Sequence, residues 1–196
     1  MTTPPVLLLD VMDTLVHDPF TGEVLRFFAM DRETYFAAKS RDAWLEFEHG
    51  RIDETEYAAR HFHDRRAIDL DGLKRCLQRS YRWLPGIEPL VADLRDAGVE
   101  MHALSNYPRW FELVEEAVGL SRYVKWTFVS CLTGVRKPAA EAYLGAARAL
   151  DREPSDCLFV DDRESNCAGA AAAGMPAIRF ENASRLRAEL RRRGLL

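Results

Sequence analysis

The sequence predicts an α/β fold: a doubly wound, parallel five-stranded sheet with a small all-helical segment inserted after its first strand. Three observations lead there. Five short apolar runs, at residues 6–9, 99–104, 126–129, 157–160 and 176–180, are near-continuous rather than alternating, as strands covered on both faces must be. Helical patterns separate the later runs, which is the alternation that builds a parallel sheet through crossovers. Between the first run and the second lies a long stretch, residues 16–83, that contains no clear strand.

In chain order, the first run VLLL stops at Asp10. The stretch behind it carries Phe27, Phe28, Tyr35, Phe36, Trp44, Phe47, Tyr57 and Phe62 at helical spacing, so residues 16–83 are expected to form a helical cap. Residues 1–15 and 84–196 then form the core domain. Pro85-Gly86 opens a helix with Leu90, Leu94 and Ala97 on one face, closed by Gly98. Pro138 is expected at a first helical position, ahead of an apolar face of Tyr143, Leu144, Ala147 and Leu150. Residues 168–173 read as a small-residue helix able to approach a sheet closely, ended by Gly174 and Pro176. The five arginines of residues 184–193 read as the solvated face of a terminal helix.

A chain of 196 residues that is 47% hydrophobic can bury a sizeable core, as one domain or as a core with an insertion. A net charge of -4 argues against a nucleic-acid partner, which needs a concentrated basic face. Cys76, Cys131, Cys157 and Cys167 show no C-x-x-C pair and read as reduced, mostly buried thiols. The start MTTPP lacks the basic flank of a signal peptide, and no apolar run is long enough to span a bilayer. A cytoplasmic protein with no membrane partner is expected, either monomer or homodimer.

In a doubly wound sheet, ligands bind beyond the carboxyl ends of the strands. Asp10 and Asp13-Thr14 follow the first strand, Ser105-Asn106 the second, Arg136-Lys137 the third, and Asp161-Asp162 the fourth, with Asn166 one turn on. Taken singly, each could be a turn or cap residue. Three carboxylates, a hydroxyl and a lysine on one sheet edge repel one another unless a cation and an anionic ligand join them. The chain has only four lysines among its 27 basic residues, so Lys137 is not background usage. A carboxylate attacking a phosphoryl group meets like charge, which a hard divalent cation held by carboxylates offsets. Hydroxyls such as Thr14, backbone N–H groups and the lysine are expected to hold the phosphate oxygens.

The pieces LLLDVMDTLV, ALSNY, GVRKP and LFVDDRESNCAGAAAAGM, in that order, resemble the haloacid dehalogenase-like (HAD) hydrolase superfamily along nearly the whole chain. The resemblance implies a Rossmannoid core with strand one central and a cap inserted between the first two motifs. It implies Asp10 as nucleophile and magnesium ligand, Ser105 and Asn106 as phosphate binders, and Lys137 as the charge-neutralising lysine. It implies a Mg2+ site of Asp10, the main-chain carbonyl of Met12, Asp162 directly and Asp161 through water.

One departure stands out. Two residues after the nucleophile, the family's phosphatases carry an aspartate as general acid/base, and this chain carries Met12. A thioether cannot donate a proton, a step worth about 10²–10⁴-fold. The expectation is a Mg2+-dependent phosphohydrolase for a small phosphorylated molecule with a good leaving group. The alternatives are a catalytically impaired domain that binds metal and phospho-ligand or a partner, a 2-haloacid dehalogenase, and a phosphonate hydrolase using Lys39 or Lys74 as imine former. In the cap, Asp18, Arg41, Trp44, Glu48 and His49 are candidates to face a substrate.

Overall fold

The computed structural model describes residues 4–196, so the start of the chain, at which no leader is expected, lies partly outside the described residues. The elements in order are β1 (Val6–Leu9), α1 (Glu23–Phe27), α2 (Arg32–Ala38), α3 (Arg41–Glu48), α4 (Glu54–Ala59), α5 (Leu70–Ser80) and α6 (Ile87–Asp96). There follow β2 (Met101–Ser105), α7 (Phe111–Val118), β3 (Lys125–Val129), α8 (Ser130–Thr133), α9 (Ala140–Ala149), β4 (Cys157–Asp161), α10 (Glu164–Ala172), β5 (Ala177–Arg179) and α11 (Ala183–Arg192). The five strands form one parallel sheet in the order β3-β2-β1-β4-β5.

β1 is central, and all four of its residues are buried, because helices cover both faces of the sheet. Leu7 and Leu9 face one apolar cluster and Leu8 the other, the two-residue period of a strand between two helical layers. The strand order reverses at β1, between β2 and β4, so the crevice at the carboxyl edge opens beside Asp10.

The strand ends differ from the sequence reading by one or two residues. β2 starts at Met101 because Val99 still belongs to the helix end, its N–H donating to Leu94 O at 3.0 Å. The fourth strand runs on to Asp161, whose O accepts from Phe180 N at 2.8 Å. In α6 the buried face is Ile87, Leu90, Val91 and Leu94, while Ala97 is exposed. Pro138 does not begin a helix: it follows a cis Lys137-Pro138 bond, and α9 starts two residues later behind Ala139. Of the cysteines only Cys157 is buried; all four are free thiols, and the other three are partly exposed.

Between β1 and α6 the chain is helical, with α1–α5 and a short 3-10 turn at Pro19–Thr21. Its two ends are tied together: His17 N donates to Arg82 O and Leu84 N to Leu15 O, both at 2.9 Å. Four of these five helices begin at a side chain that accepts a backbone N–H, from Asp31, Ser40, Asp53 and Asp69. Such caps are worth ~1 kcal/mol each and fix where short helices begin. The aromatic side chains then hold the helices together, with Phe47 stacked on Tyr57 at 4.7 Å and edge-on to Trp110 at 5.0 Å.

Candidate active site

Asp10 leaves β1 at the carboxyl edge, where its N–H is still bonded to Val160 O of the neighbouring strand at 2.9 Å. Asp161 ends β4 beside it, and Lys137 arrives from the loop after β3. Lys137 Nζ donates to Asp10 Oδ1 at 2.7 Å and to Asp161 Oδ2 at 2.6 Å. All three side chains are nearly sealed: Lys137 is 2% exposed, Asp10 7% and Asp161 0%. Carboxylate oxygens of Asp10, Asp161 and Asp162 lie within 4.8 Å of one another.

The electrostatics follow from this crowding. Burial pushes the Asp10 carboxyl up to about 7; Lys137 opposes the rise, and Asp161 and Asp162 add to it. Burial and then Asp161 raise Asp162 also. Three hard oxygen donors that repel one another in a half-sealed crevice suit a divalent cation of the magnesium type.

The lysine is held by its backbone as well as by its charge. Asn106 Nδ2 donates to Lys137 O at 2.9 Å, and Asn106 Oδ1 accepts from Lys137 N at 2.8 Å. Both ends of the Asn106 amide are therefore occupied. Thr14 is fully buried; its hydroxyl donates to Asp10 Oδ2 at 3.4 Å and accepts from Asp162 N at 3.2 Å. Asp161 accepts from Asn166 Nδ2 at 3.0 Å on each oxygen, and its Oδ1 also accepts from Arg163 N at 2.8 Å. Asp162 stands half-buried at the same edge. Ser105 is the last residue of β2 and 2% exposed.

The Met12 side chain is half-buried at this edge, one residue before Asp13. Asp13 adopts φ 55° and turns its carboxylate toward the cap, where Oδ1 accepts from Asp18 N at 3.1 Å. It is an exposed turn residue and does not stand in for residue 12.

A cavity of about 510 Å³ lies between the helical segment after β1 and two residues that each follow a strand-end motif. Its lining includes Tyr107, one residue beyond Asn106, and Arg163, one beyond Asp162. The helical segment between β1 and α6 contributes Asp18, Phe20, Phe36, Lys39, Arg41 and Trp44. Asp18, Arg41 and Trp44 were expected here from the sequence. Glu48 and His49 are not in the lining. Glu48 is buried and accepts from Trp44 Nε1 at 2.7 Å and Arg136 Nε at 3.1 Å, and His49 Nδ1 lies 2.7 Å from Leu45 O. The sequence raised Lys39 only as an imine former of the phosphonate-hydrolase alternative, and it missed Phe20, Tyr107 and Arg163; for Tyr107 and Arg163, adjacency to a strand-end motif was the available cue. A second cavity of about 540 Å³, bordered by Ile52, Lys74, Trp110 and Cys131, shares none of these lining residues.

Comparisons with known proteins bear on the chain as a whole. The family model described as hydrolase, haloacid dehalogenase-like hydrolase, matches residues 6–174, from the start of β1 to the glycine after α10. Flavin mononucleotide hydrolase 1 of Arabidopsis thaliana, a chloroplast protein, is 45% identical over 186 residues, covering 95% of this chain and 76% of the relative. Ribulose-1,5-bisphosphate 5-phosphatase of Halopiger xanaduensis is 30% identical over 100 residues, half of this chain and 42% of the relative. Among solved structures, a HAD-family enzyme of Bacteroides thetaiotaomicron, an Asp-to-Ala variant in complex with magnesium and inorganic phosphate, superposes with TM-score 0.77. It is 17% identical and covers 94% of this chain and 99% of that one, so it shares the fold. No helix among the described residues is long and apolar enough to cross a membrane. With its strand-end carboxylates and lysine gathered at the switch point of the sheet, and with a family match that spans all four motifs, the chain belongs to the haloacid dehalogenase-like hydrolases and is an enzyme of phosphatase type.

Proposed function

We propose that the chain is a magnesium-dependent phosphohydrolase that cleaves a small phosphomonoester with a flat aromatic body, flavin mononucleotide being the first candidate. The observation that carries this reading is the convergence of Asp10, Lys137, Asp161 and Asp162 at one sheet edge, with an aromatic, cationic cavity bordered by Tyr107 and Arg163 of the adjoining motifs. The cavity volume falls in the range of small-molecule sites, about 300–1,000 Å³. Phe36 offers an exposed ring beside the more buried Phe20, Trp44 and Tyr107, and Lys39, Arg41 and Arg163 offer positive charge to an anionic substrate. Phe36 is 44% exposed, an unusual solvent exposure for a phenylalanine that a stacked ring would relieve. The Arabidopsis relative supplies the named candidate.

Asp10 is the nucleophile in this reading: one carboxylate oxygen attacks phosphorus, the bond to the leaving oxygen breaks, and an aspartyl-phosphate forms that water then cleaves. Lys137 holds Asp10 by one oxygen and balances charge on the transferring phosphoryl group. Ser105, at the end of β2, binds a phosphoryl oxygen. Asn106 and Thr14 change role from the sequence expectation, because their polar atoms are already engaged: Asn106 fixes Lys137, and Thr14 fixes Asp10 against Asp162. Asp10, Asp162 and the Met12 carbonyl would hold Mg2+ directly. Asp161, with both oxygens engaged by Lys137 and Asn166, would reach it through water. The cation supplies charge neutralisation and alignment of the phosphoryl group. Residues 16–83 act as the cap that shapes the cavity.

Flavin mononucleotide is an ester of a primary alcohol, whose leaving oxygen needs a proton, so this reading sets aside the restriction to good leaving groups expected from Met12. The test is hydrolysis of flavin mononucleotide, p-nitrophenyl phosphate, acetyl phosphate and a sugar phosphate, with magnesium or chelator, against Asp10→Asn as blank. Magnesium-dependent and Asp10-dependent release of phosphate, with flavin mononucleotide turned over at the highest kcat/KM, is the expected result. Turnover limited to the two activated substrates would refute the substrate class.

A further inference from the structure

We propose that Lys39 is the proton donor to the departing alcohol, the task that Met12 cannot perform. The inference rests on the phosphohydrolase reading above and adds a residue to it. Three of the four lysines are paired: Lys74 with Glu54 at 2.9 Å, Lys125 with Glu100 at 2.7 Å, and Lys137 with Asp10 and Asp161. Lys39 instead lies over ring faces, with Nζ 4.1 Å from the centre of Trp44 and 4.5 Å from that of Phe20. Among the described residues no carboxylate oxygen lies within 4.0 Å of it. Ring faces attract an ammonium and accept none of its protons in conventional hydrogen bonds, so its N–H groups stay available to a ligand.

Its position is fixed. Lys39 is the residue on which α2 ends, and the adjacent backbone is tied across to the loop after α4, with Ser40 N bonded to His61 O at 2.8 Å and His63 N to Ala38 O at 2.9 Å. The side chain lines the cavity that Tyr107 and Arg163 border from the catalytic edge. In this proposal the leaving group of a phosphoryl group seated at Asp10 extends into this cavity.

Burial pulls the ammonium down to about 8, against the opposing pull of Asp18 and Glu48. The other charged groups around it are Arg32, Arg41 and Arg163 in the cavity lining, with the buried His61 and Tyr35 behind. Arginine does not release a proton at neutral pH, whereas a lysine near 8 is matched to the task. Asp18 is the rival donor, since burial raises its carboxyl, but its Oδ1 is already committed to Phe20 N at 3.0 Å.

The step balances. As Asp10 bonds to phosphorus and the P–O bond to the alcohol breaks, the departing oxygen takes a proton from Lys39, leaving a neutral amine and an aspartyl-phosphate. The amine then takes a proton from the water that attacks phosphorus. That restores the ammonium and the Asp10 carboxylate and releases phosphate.

The experiment compares wild type, Lys39→Met, Lys39→Arg and Asp18→Asn on flavin mononucleotide and on p-nitrophenyl phosphate, whose phenolate leaves without a proton. Lys39→Met should lower kcat on flavin mononucleotide by about 10²–10⁴-fold more than it lowers kcat on p-nitrophenyl phosphate. Lys39→Arg keeps the charge and should show the same selective loss, which covers the case that Lys39→Met folds poorly. In wild type, kcat on flavin mononucleotide should fall as pH rises through about 8, and that basic limb should be absent on p-nitrophenyl phosphate. Equal losses on both substrates would mean a binding or structural role and would overturn the inference alone. A selective loss in Asp18→Asn but not in the Lys39 variants would transfer the role to Asp18. No Asp10-dependent turnover of either substrate by wild type would overturn the phosphohydrolase reading together with it.

Discussion

Replacing Lys137 with methionine removes the cation from between two buried carboxylates while keeping most of the side-chain volume. Lys137 bonds Asp10 at 2.7 Å and Asp161 at 2.6 Å, and it is 2% exposed, so water cannot take its place without opening the site. Breaking a buried ion pair from one side costs about 3–5 kcal/mol, because an uncompensated charge stays behind. The pH dependence has a definite sign. Folding raises Asp10 above its ordinary value, to about 7, so its ionisation already opposes folding as pH rises from about 4 through 7. Lys137 is the group that lowers Asp10 most, so its loss sends the carboxyl higher still. Each further unit adds about 1.4 kcal/mol of destabilisation at a pH where the carboxylate must be charged. Urea unfolding of the chelator-treated protein should therefore show a larger wild-type-minus-variant difference at about pH 8 than at about pH 5, by at least ~1 kcal/mol. Equal differences at both pH values would falsify the argument that the loss is electrostatic. Phosphohydrolase activity of the variant should be at or near the Asp10→Asn blank.

Three further outcomes follow from the same structure. A Cβ on Gly169 would meet Pro138 O at 2.9 Å and Pro138 Cβ at 3.0 Å, so Gly169→Ala should destabilise by ~1–3 kcal/mol and lower kcat by shifting the loop that carries Lys137. Burial holds His61 at about 3, below its ordinary value; its contribution to stability is complete above about pH 6.5 and is lost as pH falls toward 3. His61→Gln should flatten the decline between those limits in a denaturation series, which amounts to about 2–3 kcal/mol by pH 4.5. Finally, Met12→Asp introduced into Lys39→Met should recover flavin mononucleotide turnover by at least about tenfold, since it places a proton-transfer group where the family's phosphatases have one; no recovery would count against proton donation as the missing function.

The five strands were legible from their own residues. A strand buried on both faces requires a continuous apolar run, and Val6–Leu9 and residues 157–160 meet that condition whatever surrounds them. Asp10, Ser105 and Asp161 were legible for a related reason: the first polar residues beyond such runs sit at the carboxyl edge, where a parallel sheet places its ligands. Lys137 was singled out by the scarcity of lysine in the chain around it. Strand order and contacts between distant segments are set by packing. Asn106 reads as a turn residue or a phosphate binder, and only the approach of the loop 31 residues later turns its amide into a clamp on Lys137. Glu48 reads as a candidate for substrate contact until Arg136, 88 residues away, and Trp44 claim its carboxylate. Lys39 has nothing in its neighbouring sequence to mark it. Its depressed basicity arises because Phe20 and Trp44 fold over it and exclude water, and desolvation is a property of what surrounds a residue in space. The sequence by itself determined which residues could do chemistry and at which edge of the sheet; the tertiary structure decided which of them remain open to a substrate and which are already engaged with one another.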